Sequence, residues 1–483
     1  MTASAAHRGG PIIRDGVIAT SDGVRRGDIL IQGESIAKIG KEIRHESAWE
    51  IDARGLLVLP GGVDPHVHLT TPPSTPPDER WVDDFTSGSR AALAGGVTTL
   101  GNMSLPLPGE SPLATLRRER SRVEAEAIAD VMIHPVLLPP LEGDPAAFSA
   151  LVAEGCTSVK VFTCTPEFDQ NALRYLQALK GAGEAGVLTL IHAEDRAIIQ
   201  AVTEALLAEG RGALEHYAES RPIIAEVAAT QRAVAMCEAT GAPIYVVHLS
   251  SEWALQVCRE ARARGLPLSV ETRPLYLHFT RERYLEADGP LFVGQPPLRG
   301  RRDVDALWEG MRRGDIDTVA TDHAPWTREQ KMDPSLDVSR LRPGVNDLQF
   351  MIPLLYSEGV RNGRLSLERF VALTSTNAAR LFGLYPRKGS ISVGADADLV
   401  LWDPDETRQV PGGEVFSRAG FSVYEGWAVT GWPQMTIRRG EVVYHEGRIT
   451  ARPGSGRALH CHPHRGALRG PVLPGGAGKP IEP

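Results

Sequence analysis

At 483 residues, 42% of them hydrophobic and 23% charged, the chain is long enough for one large barrel and a smaller domain, with the composition of an ordinary globular protein. Its 52 basic and 60 acidic residues leave a net charge of −8 with no long run of one sign, which argues against nucleic-acid or membrane partners and leaves small molecules open. Five scattered cysteines, Cys156, Cys164, Cys237, Cys258 and Cys461, lack CxxC spacing and argue against a disulfide framework or a cysteine zinc site. With no signal-length apolar core near the N-terminus and no run long enough to span a bilayer, the expected compartment is the cytoplasm.

From Pro11 to Asp52, short apolar runs separated by Asp-Gly and Gly-Glu pairs predict antiparallel hairpins. The run Leu56 to Leu59 reads as a short buried strand, and Pro60-Gly61-Gly62 after it permits a tight backbone path into Val63-Asp64-Pro65-His66-Val67-His68. Alternation along an extended chain points His66 and His68 the same way, so together they could ligate a metal; alone, such a pair is more often two satisfied polar side chains at a strand end.

Between residues 56 and 380, apolar runs alternate with helical stretches. Counting the run at Leu57, those at Val97, Val131, Ser158, Leu188, Ile244, Leu268 and Thr318 bring the number of strands to eight, which predicts a TIM-like (β/α)8 barrel. Helices are expected over Leu113–Asp130, Ala172–Ala185, Ile223–Thr240 and Asp303–Arg313. Gly181-Ala182-Gly183-Glu184-Ala185-Gly186 matches a dinucleotide-binding pattern but ends a helix and precedes a strand, so it reads as a helix cap.

Beyond Arg380 the strand texture returns, and pairing it with the N-terminal hairpins gives a β-sandwich domain built from both chain ends, residues 1–55 and 381–451, with the barrel, 56–380, inserted between them. Residues 452–483, rich in Gly, Pro and Arg, read as a weakly structured tail; its His460-Cys461-His462-Pro463-His464 could chelate a metal, although such a tail is a poor place for a built site.

The barrel runs end in potential metal ligands. His192 closes Leu188 to Ile191, His248 closes Ile244 to Val247, Asp322 follows Thr318 to Ala320, and Lys160 stands inside its strand. The C-terminal strand ends of such a barrel converge on one mouth, so these distant residues become neighbours. A buried lysine has its pKa lowered, and a neutral amine can add carbon dioxide to form a carbamate whose oxygens bridge two metals; a lysine at a strand edge is the plain alternative.

Asp64-Pro65-His66-Val67-His68, Lys160, His192-Ala193-Glu194, His248-Leu249-Ser250 and Thr321-Asp322-His323 resemble the cyclic amidohydrolases, and within them the hydantoinase and dihydropyrimidinase group. Glu271 to Leu277, Pro296-Pro297-Leu298-Arg299, Asn377 to Gly383 and Gly394 to Leu399 extend the likeness over nearly the whole chain. The resemblance implies two divalent metals, zinc first, with manganese, cobalt or iron also suited to nitrogen and oxygen ligands. His66 and His68 would hold the more buried metal together with Asp322, His192 and His248 the more exposed one, and carboxylated Lys160 would bridge them. It further implies that a metal-bridging hydroxide opens a cyclic amide, imide or ureide ring while Asp322 moves the proton, and that the protein is a homotetramer or homodimer.

Thr165 stands where typical hydantoinases carry a substrate-binding tyrosine, which puts the usual substrate in question. Gln295 precedes Pro-Pro-Leu-Arg, and either pairs with an imide or ureide edge or caps a loop. Thr165, Gln295 and Asn346 are the candidate substrate contacts. Dihydroorotase is disfavoured because Thr70 replaces its usual arginine; allantoinase remains an alternative, as does a non-catalytic scaffold relative, which the full ligand set opposes.

Overall fold

A computed structural model describes residues 10–463 except 47, 73–74, 142 and 414. The N-terminal hairpins form as the turn signals predict: β1 (Ile12–Thr20) pairs antiparallel with β2 (Gly23–Gln32), which pairs with β3 (Ser35–Gly40), and β4 (Glu50–Asp52) returns parallel to β1. Their alternation buries one face, Ile13, Ile18, Ile29, Ile31 and Ile51.

The run expected as the first barrel strand belongs elsewhere. β5 (Leu57–Pro60) lies parallel to β1 and antiparallel to β14 (Leu399–Gln409), so it is the seam joining the N-terminal strands to the C-terminal ones, β15 (Ala428–Arg438), β16 (Glu441–His445) and β17 (Arg448–Ile449). The result is one nine-stranded sheet. Ile29 and Ile36 from one side of it share a core with Leu399, Leu401 and Ile437 from the other, so the sheet folds over on itself. The barrel's first strand is instead β6 (Gly62–Val67), the His-x-His segment itself. The chain changes sheets at Gly61, where a Cβ would lie 2.2 Å from the Thr98 hydroxyl; no other residue fits that crossing.

Seven further parallel strands complete the barrel in chain order: β7 (Val97–Ser104), β8 (Asp130–Pro135), β9 (Ser158–Phe162), β10 (Leu188–His192), β11 (Ile244–Val246), β12 (Leu268–Thr272) and β13 (Thr318–Val319). Bridges Val136 to Lys160 and Val67 to His323 close the two arcs into one ring. The expected helices form over Pro112–Glu126, Ala172–Glu184, Ile223–Thr240 and Arg301–Arg313, and the Gly-rich hexapeptide ends a helix with Gly186 at φ 76°. Among the described residues no helix is long and apolar enough to cross a membrane.

Barrel and sheet are tied by buried charge. Lys388, 1% exposed, places Nζ 2.6 Å from Asp130 at the start of β8, 2.7 Å from Asp398 beside β14 and 3.0 Å from Asp396. The expected loose tail is seated over residues 452–463. Val131 N–H donates to Arg457 O (2.8 Å), Leu459 N–H to Val131 O (2.8 Å), Cys461 N–H to Gly155 O (2.9 Å) and His462 N–H to Gly383 O (3.1 Å). Backbone pairing to barrel edges supplies the order that its composition does not. Cys461 is buried there while His460 and His462 are exposed; His464 lies outside the described residues, and no cluster of three metal-capable side chains forms in the described part.

Candidate metal centre and active site

Five of the six sequence-predicted ligands line one cavity of about 120 Å³ at the C-terminal ends of the barrel strands: His66, His68, His192, His248 and Asp322. His66 and His68 have ring centroids 5.3 Å apart, His66 and His248 5.4 Å, and His192 and His248 4.5 Å. The ligand atoms of His66, His68 and Asp322 all lie within 4.8 Å of one another, with Asp322 Oδ1 3.2 Å from His66 Nε2 and 3.0 Å from His68 Nε2. The sixth, Lys160, is fully buried in β9, its Nζ 4.9 Å from the centre of the Phe162 ring, and its charge acts on His66, His68 and His248.

This donor set suits divalent metals because several buried nitrogens have no other use. His66 Nε2, His68 Nδ1, His248 Nδ1 and Lys160 Nζ lack hydrogen-bond partners, whereas a buried polar atom ordinarily finds one. Burial drives the His66 and His248 imidazoles well below their ordinary value, so both are neutral and offer lone pairs. Burial also lowers the Lys160 ammonium to about 8, so that roughly a tenth of it is neutral amine at pH 7, the form that adds carbon dioxide.

Carboxylates behind the ligands fix their orientation, and these escaped the sequence reading. His66 Nδ1 donates to Glu271 Oε1 (2.8 Å), which also accepts the His248 backbone N–H (2.8 Å); Tyr245 donates its hydroxyl to Glu271 Oε2 (2.8 Å). His192 Nε2 meets Glu194 Oε2 (2.9 Å), leaving Nδ1 for the cavity side. Burial would raise the Glu194 carboxyl, but Arg221 and His192 hold it at about 2. Burial would lower His192, yet Cys164 and Glu194 push it up to about 9 in the metal-free protein. The signal for Glu271 was present: it ends the run Leu268 to Val270 as His192 ends its own.

Asp322 is held from its other oxygen by Arg273, whose Nη1 donates to Oδ2 (2.7 Å). Burial raises this carboxyl, but the Arg273 guanidinium and the hydrogen bond from His68 act against it and hold it well below the usual range. Two of the converging residues have left-handed backbones unusual outside glycine, His248 at φ 38° and Asp322 at φ 50°, a strain of about 1–3 kcal/mol each. Neighbouring bonds impose it: Glu271 holds His248 N–H, and Asp64 accepts from the Thr321 hydroxyl (2.6 Å) beside Asp322.

The remaining walls are largely apolar: Trp81, tilted against His68 with ring centroids 4.8 Å apart, and Met103, Leu105, Val136 and Phe162. Gln295 joins the wall. Thr165 and Asn346 do not: the Thr165 hydroxyl turns back to Phe162 O (3.4 Å), and the Asn346 amide donates to Phe421 O.

Residues 145–443 match the model of the amidohydrolase family. Over 456 residues the chain is 36% identical to a D-phenylhydantoinase of Escherichia coli O1:K1 / APEC, covering 94% of this chain and 98% of that one. Among solved structures, the D-hydantoinase (dihydropyrimidinase) from Thermus sp. superposes with a TM-score of 0.89 at 33% identity, covering 94% of this chain and 99% of its own. The L-hydantoinase (dihydropyrimidinase) from Arthrobacter aurescens superposes with 0.85 at 28%, covering 93% and 99%.

Proposed function

Since the chain belongs to the amidohydrolase family, within its hydantoinase and dihydropyrimidinase group, we propose that it opens a cyclic amide, imide or ureide ring, a 5-substituted hydantoin or a dihydropyrimidine first, by metal-dependent hydrolysis. The observation that carries this reading is the convergence of four imidazoles and one carboxylate on a single mouth, with a buried lysine beside it and one nitrogen each of His66, His68, His248 and Lys160 without a hydrogen-bond partner among the described residues. His66, His68 and Asp322 would hold one divalent ion, His192 and His248 a second, and Lys160 as a carbamate would lie between them. Zinc is the first expectation, with manganese, cobalt or iron as alternatives. When bound, the pair supplies an acidified water and Lewis acidity toward the scissile carbonyl.

The protein's own residues do the rest. Glu271 and Glu194 keep His66 and His192 in the tautomers whose free nitrogens face the cavity. Asp322, pinned through Oδ2 by Arg273, presents Oδ1 to the site, where it takes the proton of the attacking water and returns it to the departing ring nitrogen. The apolar wall of Trp81, Leu105 and Phe162 limits water and suits an exocyclic substituent. Gln295 is placed to pair with the imide or ureide edge. The leading products are a carboxylate and the ring-opened amine or ureide.

We place the protein in the cytoplasm as a homo-oligomer. Five unpaired cysteines support the first and the exposed Leu173, Ile224 and Trp253 the second. Ring opening by zinc- or manganese-loaded protein in bicarbonate, over hydantoins of both hands, dihydrouracil, allantoin and dihydroorotate, tests the function. Turnover of hydantoins or dihydrouracil supports it, turnover of allantoin or dihydroorotate alone reassigns the ring, and silence with both metals bound defeats it.

A further inference from the structure

A second, more open cavity of about 350 Å³ adjoins the metal cavity, and Gln295 lines both. Cys164 also stands in its wall, close enough to His192 of the metal cavity for each to act on the other's charge. The two spaces therefore share the Gln295 side chain as a common wall. Unlike the apolar wall of the metal cavity, this vestibule carries two guanidinium groups, Arg196 and Arg221.

Arg221 is fixed before anything binds. Its Nε and Nη2 grip Glu194 at 3.0 and 2.5 Å, and Nη1 has no protein acceptor among the described residues. Arg196, the first residue of the helix Arg196–Ala208, is half-buried and makes no ion pair with any described residue. The acid in the same wall, Glu204, is eight residues further along that helix, roughly 12 Å away at 1.5 Å per residue, and takes a hydrogen bond from Gln200 (2.7 Å). Arg221 is balanced by Glu194, so the unpaired positive charge of this wall is that of Arg196, at the end of the helix opposite to Glu204. Ser220 and Thr203 add hydroxyls to the same wall.

We propose that this vestibule is an anion subsite, and that the preferred substrates carry a carboxylate at the end of a short exocyclic chain which Arg196, with the free edge of Arg221, receives. The inference rests on the ring-opening function proposed above and refines its substrate class. To reach the two guanidinium groups from a ring held at the metal ligands, the carboxylate would have to pass the wall that Gln295 shares between the cavities, and a two-carbon spacer is the first length to test. Charge-assisted hydrogen bonds of this kind contribute about 1.5–3 kcal/mol, or roughly ten- to a hundredfold in affinity.

The test compares 5-(2-carboxyethyl)hydantoin with 5-(2-carbamoylethyl)hydantoin, which differ in charge but scarcely in shape, on metal-loaded wild-type protein and on Arg196→Met and Arg196→Lys. Expected is a kcat/KM at least about tenfold higher for the acid, lost in Arg196→Met through KM, largely regained in Arg196→Lys, and weakened by salt, with the amide's kinetics unchanged throughout. Equal treatment of acid and amide by wild-type protein overturns the subsite, as does an Arg196→Met variant that slows both alike, the mark of a role in releasing the product carboxylate common to every substrate. Calorimetric binding of the same pair decides the matter independently of turnover: if neither ring opens, the hydrolytic reading fails, while preferential binding of the acid that vanishes in Arg196→Met still establishes the anion subsite, and equal binding removes it.

Discussion

Lys160 and Lys388 are both wholly buried, one inside the catalytic mouth and the other at the seam between barrel and chain-end sheet, and their surroundings are opposites. Three carboxylates, from Asp130, Asp396 and Asp398, enclose the Lys388 ammonium within 3.0 Å, and although burial works against its charge their attraction raises its pKa. Lys160 has no acceptor among the described residues, and burial lowers it to about 8. Burying an ammonium costs several kcal/mol unless partners compensate, so a saturated lysine reads as architecture and an orphaned one as chemistry waiting for a reagent. Substitutions at each should separate the two roles.

The largest effect is expected at the orphan. Lys160→Ala should lose most bound metal by elemental analysis and, with several kcal/mol of Lewis-acid and water-activating power gone, roughly 10³-fold or more in turnover, partly restored by short-chain carboxylates. Full metal occupancy in that variant would remove Lys160 from the centre. Asp322→Asn should lower kcat by about 10²–10⁴ while the native fold is retained, and near-normal kcat would strip Asp322 of the proton transfer. One step further out, Glu271→Gln should weaken metal affinity about 10–100-fold through His66, read by chelator competition; unchanged affinity would make the Glu271 contact incidental.

How far the sequence reached depends on what each feature needs. The barrel, the chain-end sheet and the helix spans follow from local periodicity, and residues ending apolar runs fall together because parallel strands deliver their ends to one mouth. Which sheet a run joins is not local: Leu57–Pro60 has the same texture as a barrel strand, and only its pairing with β1 and β14 decides. Residues 452–463 likewise take their order from barrel edges far away in the chain. Glu194 and Glu271 stood within recognised motifs, but their grip on particular ring nitrogens is a matter of geometry, as is the backbone strain at His248 and Asp322. Thr165 shows the opposite failure, since a position carried over by resemblance turns away from the cavity, while Cys164 beside it faces His192.

The smallest effect on chemistry is expected at the saturated lysine, where Lys388→Met should leave kcat and metal content unchanged at a permissive temperature. Stability is another matter: Asp396 and Asp398 would be left without their cation and Asp130 with Arg439 alone, and breaking such a buried pair costs about 3–5 kcal/mol, measurable by urea unfolding. The sign of the pH dependence follows from the raised pKa. A lysine held above its ordinary 10.5 contributes its full stabilisation below that value and loses it as pH climbs toward the folded-state value. The stability gap between wild type and Lys388→Met should therefore be constant through neutral pH and narrow only above about 10.5. A variant that lost metal or turnover in proportion to stability would show that seam and mouth are coupled, and the contrast between the two lysines would then be one of degree.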